Sequence, residues 1–110
     1  MAKINVATLT KQIRDAAKGE LTDKWPEIKD YANTEAKKIA ETIKMISIMT
    51  AAGKMSQKAA KIHLRIQKNA ATTVLLTVEG LGLIAVENAI NAAVRVIQDT
   101  VNKAVGFRLI

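Results

Sequence analysis

Apolar residues recur in threes and fours along almost the whole chain, the period of an α-helix that turns one face to a core. Val6, Leu9, Ile13 and the Ala16-Ala17 pair set a first helix over residues 4–18, with Gly19 as its stop. Thr22 or Asp23 is a good N-cap for a second helix. Pro26 is tolerated there because first-turn N–H groups have no helical partner. Ile28, Ala32, Ile39, Ile43 and Ile46 carry one buried stripe along residues 24–52, a rod about 40 Å long. Ala51-Ala52-Gly53-Lys54 reads as its stop, and Ser56 as the cap of the next helix.

The same period continues almost to the end. Ile62, Leu76, Leu83, Ile90, Ile97 and Ala104 share one seven-residue register, interrupted only at Asn69. Gly80-Leu81-Gly82 falls in the middle of this run. Two glycines inside a helix cost about 1 kcal/mol each relative to Ala. The unbroken register favours a continuous helix whose glycines admit a close neighbour, whereas typical helix lengths favour a break, and the break is the reading taken. The result is two helices, over 57–79 and 83–105, followed by an apolar tail, Phe107-Arg108-Leu109-Ile110. The expected fold is all-α: an up-and-down helical bundle or long helical hairpin, one domain over 1–110, completed by oligomerisation.

Composition narrows the function classes. At 110 residues the chain fits one modest core, which excludes a multi-domain enzyme. Eighteen alanines, five glycines and one proline favour helix over loop. With no Cys there is no disulfide framework, thiolate metal site or cysteine nucleophile. Met1-Ala2-Lys3-Ile4-Asn5 lacks the apolar run of a secretory leader, and Ala2 is not the glycine that myristoylation requires. A cytoplasmic protein is expected. Residues 70–86 hold a single charge, Glu79, but also three threonines and two glycines. Seventeen residues with a central carboxylate suit a buried bundle helix better than a membrane span.

Candidate chemistry is sparse. Gly80-Leu81-Gly82-Leu83-Ile84-Ala85 matches a relaxed dinucleotide fingerprint, and Thr73–Val78 before it is β-branched. The fingerprint needs a second strand with a ribose-binding acid, whereas the 25 residues that follow read as helix. His63 is the only histidine, and Ala59, Ala60, Ile66 and Gln67 occupy its helical neighbour positions. It is expected as a half-buried residue beside an apolar stripe of Met55, Ala59, Ile62 and Ile66. Ser47 and Ser56 lie outside any nucleophile elbow. Glu79, alone among apolar neighbours, is expected to cap the Gly80 turn or to reach a basic partner. No catalytic centre, metal or cofactor is expected.

Charge supplies the strongest pattern. Residues 1–69 hold 14 basic and 7 acidic side chains, and residues 70–110 hold three of each. All of the net charge of +7 therefore lies in the first two-thirds. Between Glu41 and Glu79 there is no acid, and Lys54, Lys58, Lys61, Arg65 and Lys68 recur at helical spacing. At 100° per residue these five span about 80°, a positive stripe about 20 Å long. Such a stripe suits a phosphate backbone, an anionic surface or an acidic protein, although no aromatic accompanies it for base stacking. An acidic series, Glu20, Asp23, Glu27 and Asp30, misses the basic stripe within an antiparallel hairpin but could meet it between subunits.

Self-association is the leading functional expectation: a non-enzymatic structural, assembly or adaptor protein. Its interface is expected along the small and apolar positions Gly82, Ala85, Val86, Ala89, Ile90, Ala93 and Ile97, where a second helix could approach. Binding of nucleic acid or an anionic surface through the Lys54–Lys68 stripe is the alternative, and a membrane-associated helical protein is the third.

Overall fold

A computed structural model describes residues 4–110. Met1, Ala2 and Lys3, on which the leader and acylation expectations rest, lie outside the described residues. The chain folds into four α-helices with no strand among the described residues: α1 (Val6–Glu20), α2 (Trp25–Ala51), α3 (Gln57–Leu75) and α4 (Leu83–Val105). Short turns join them, and the longest molecular axis, 43 Å, matches the length of α2. Around the bundle the order is α3, α2, α1, α4: α1 packs on both α2 and α4, α3 packs chiefly on α2, and the contact between α3 and α4 is slight.

Each helix start has a local cause. Asn5 caps α1, its Oδ1 accepting from the Thr8 N–H at 3.0 Å, and Ser56 caps α3 by accepting from the Ala59 N–H at 3.0 Å. The expected cap at Thr22 or Asp23 is not formed. Thr22–Lys24 make a 3₁₀ turn, and the Thr22 hydroxyl donates back to Lys18 and Gly19 carbonyls at 3.1 and 3.3 Å, so Thr22 finishes α1. Gly19 lies inside the last turn of α1, and Pro26 stands in the first turn of α2 as expected.

The break before α4 falls where the glycines stand, but α3 ends at Leu75, four residues sooner than the expected 79. Thr77 and Val78 N–H groups donate to Val74 and Leu75 carbonyls, tightening the exit into turns. Gly80 then takes a left-handed φ of 90°. Gly82 is extended and occupies the N-cap position of α4. Residues 70–86 are thus a helix end, a turn and a helix start. No helix among the described residues is long and apolar enough to cross a membrane.

The core is continuous. Leu9 and Ile13 of α1, Ile39, Ile43 and Ile46 of α2, Leu64 and Leu75 of α3, and Val86, Ile97 and Val101 of α4 are buried in one cluster. A smaller cluster at the α1–α2 turn joins Ala17, Leu21, Ile28 and Ala89. The tail after Gly106 folds back on α4. Asn102 Oδ1 accepts from the Leu109 and Ile110 N–H groups, both at 3.0 Å. Gln98 and Asn102 side-chain amides donate to the Ile110 carbonyl at 3.1 and 3.2 Å. Leu109 is thereby seated in the core.

Candidate polyanion-binding face

Helix α3 positions the basic residues. Ala60, Leu64, Ala71 and Leu75 point inward, and these four fix the rotation of the helix. At 100° per residue the direction opposite them is that of Ile62, with Ile66 about 40° further round. The expected apolar stripe of Met55, Ala59, Ile62 and Ile66 is therefore not the packed face. Ile62 is 37% exposed and Ile66 60%, while Met55 and Ala59 are half-buried. His63, expected at the edge of that stripe, is exposed. Two apolar series share this helix, and the one that contains Ala60, Leu64, Ala71 and Leu75 is the one buried.

Of the five stripe residues, Lys58, Lys61, Arg65 and Lys68 lie on α3, and Lys54 lies in the preceding turn. Lys54, Lys58, Lys61 and Arg65 are exposed. Lys68 is half-buried on the side toward α4, where it borders a shallow hollow of about 290 Å³ with Thr72, Glu87 and Asn91. The ion pairs among the described residues are Arg14–Asp15 at 3.2 Å and Lys38–Glu35 at 3.1 Å, and neither involves the stripe. The acidic series Glu20, Asp23, Glu27 and Asp30 is exposed around the α1–α2 turn. The α2–α3 turn, where the stripe begins, lies at the other end of an up-and-down bundle.

The positions expected at an oligomer interface separate into two groups. Val86, Ala89, Ile90, Ala93 and Ile97 are buried inside the single chain. Helix α1 is the main neighbour of α4. Its Ala17 and the Ala89 of α4 belong to one small buried cluster with Leu21 and Ile28. Gly82 and Ala85 are exposed at the start of α4.

The remaining candidates form no site. Thr73–Val78 is helix end and turn, so the Gly80–Ala85 motif has no strand before it. No cluster of three or more His, Asp or Glu that could hold a metal occurs among the described residues. Glu79 is exposed, at the rim of a hollow it shares with Lys24 and Glu27. Sequence reasoning missed the outward Ile62 and Ile66, because helical periodicity cannot say which of two apolar series meets the core. Comparison of the chain with protein-family models, with curated proteins and with solved structures finds no match.

Proposed function

We propose that the protein is a non-catalytic binding module that holds a polyanionic partner on the basic face of α3. The observation that carries this reading is the run of exposed basic residues from Lys54 to Arg65, continued by Lys68, without an acid within ion-pair distance. Folding gives no reason for the run. Basic side chains at helical neighbour positions repel one another, and α3 has no acid in its first turn to complement the helix dipole. A stripe that costs the helix stability and serves no packing role fits selection for a partner.

The test is binding to heparin and to short duplex DNA across a salt series. Log affinity should fall linearly with log salt, with a shallow slope because few anionic groups are engaged. Replacing Lys58, Lys61 and Arg65 together with Gln should remove binding while leaving helicity unchanged. A triple variant that binds as tightly as wild type would sink the reading.

Self-association stands as a second reading on a different observation. Leu83 and Ile84, in the first turn of α4, are 51% and 76% exposed beside Gly82 and Ala85. An apolar group at this end suits a contact between copies. Light scattering on wild type and on Ile84→Lys decides it, since only a contact through this turn would shift the wild-type mass above that of the variant.

A further inference from the structure

We infer that the anionic partner is a lipid surface, and that α3 lies flat on it with Ile62 and Ile66 entering the headgroup region. This inference rests on the binding role proposed for the basic face and adds the kind of partner. Three observations meet on one helix. Ile62 points directly away from the core and Ile66 lies next to it, both solvent-exposed. Lys58 and Arg65 lie within about 60° of Ile62 around the helix, and Lys61 within about 100°. The helix packs chiefly on α2 and only lightly on α4, and its outer face, where Ile62 and Ile66 are exposed, is clear of the rest of the bundle.

An anionic bilayer rewards both features at once. Long basic side chains lay their methylenes along the surface and place their charges among phosphates, while branched apolar side chains between them leave water. A duplex would engage the lysines and leave both isoleucines in water. Of the groups that read bases, this face carries the exposed Asn69 amide but none of the chain's Trp, Tyr or Phe residues. The charge ratio, four Lys to one Arg from 54 to 68, suits diffuse attraction rather than the forked geometry that Arg gives to single phosphates. Because no described helix is long and apolar enough to cross a membrane, the contact is peripheral.

The experiment is co-sedimentation of the full chain with vesicles of pure phosphatidylcholine and of phosphatidylcholine containing phosphatidylglycerol, with heparin binding measured in parallel. Wild type should bind the anionic vesicles and not the neutral ones. Ile62→Ser with Ile66→Ser should weaken vesicle binding about tenfold and leave heparin affinity unchanged. Lys58→Gln with Lys61→Gln and Arg65→Gln should lower both, vesicle affinity by about a hundredfold. All positions are exposed, and circular dichroism checks that each variant keeps its helices. Three results would overturn the inference: heparin or DNA binding without vesicle binding, a double-serine variant that binds vesicles like wild type, or a double-serine variant whose main change is a smaller oligomer. The first leaves the basic-face reading standing. Failure to bind heparin, DNA and vesicles alike removes both.

Discussion

Asn102 holds the tail by a pattern its neighbours cannot replace. One side-chain oxygen accepts two successive backbone N–H groups, from Leu109 and Ile110, and its amide returns a bond to the Ile110 carbonyl. Asn102→Ala removes all three, and Gln98 alone cannot keep Leu109 in the core. The expected loss is about 2 kcal/mol by thermal unfolding. The Leu109 and Ile110 amides should then exchange as free ones, and protection unchanged from wild type would refute the clamp. Glu35 predicts the opposite sign. It is 4% exposed, with Oε2 accepting from Lys38 and Oε1 buried without a hydrogen-bond partner. A buried carboxylate satisfied on one side costs more than it returns. Glu35→Met, of similar volume, should stabilise the fold by about 1 kcal/mol. A loss of that size in urea unfolding would mean that Oε1 is well solvated.

At the scale of elements, the turn between α3 and α4 separates the roles of two glycines in one short motif. Gly80 has φ 90°, and a Cβ there would stand 2.8 Å from Lys24 Nζ. The lysine end can move aside, but the backbone conformation cannot relax, so Gly80→Ala should cost about 1–2 kcal/mol. Gly82 has φ −92° and ψ 158°, open space around it, and no side chain to cap α4. Gly82→Ser supplies that cap and should add about 0.5–1 kcal/mol. Paired melting curves that shift in the same direction would contradict this division.

The same turn shows what the sequence could and could not disclose. Four helices, the Ser56 cap, the break at the glycines and the bounds of α4 follow from period, capping chemistry and glycine. The rotation of α3 does not. Ile62, Leu76 and Leu83 keep the seven-residue register of Ile90 and Ile97, yet all three are exposed. The break at Gly80 resets the phase for Ile62 and Leu76, whereas Leu83 shares α4 with Ile90 and Ile97 and is exposed as the first residue of that helix. The cover of α4 by α1 was also hidden, because composition does not encode which helices are neighbours. The basic stripe itself was legible, since charge spacing on a helix needs no tertiary knowledge. Its flanking isoleucines were visible as residues but not as surface.

At the scale of the whole molecule, the net positive charge is gathered in one stretch of the chain. Residues 42–78, around the α2–α3 turn, hold six basic side chains and no acid. The α1–α2 and α3–α4 turns mix Glu20, Asp23, Glu27 and Glu79 with Lys18, Lys24 and Lys29. A free protein with its positive charge gathered this way repels itself most along α3, where Lys58–Lys61, Lys61–Arg65 and Arg65–Lys68 are helical neighbours. Each such pair is worth about 0.2–0.5 kcal/mol, so together they withhold about 1 kcal/mol at low salt. Screening should return it: the wild-type midpoint of thermal unfolding is expected to rise by about 4–5 °C between roughly 20 mM and 500 mM sodium chloride. The triple Gln variant at Lys58, Lys61 and Arg65 should start near the higher value and respond little to salt. Heparin should raise the wild-type midpoint and leave that of the variant in place, because only a ligand that binds the folded state shifts the equilibrium. Were the triple variant less stable than wild type at low salt, the stripe would be supporting α3, and the argument that it exists for a partner would fall.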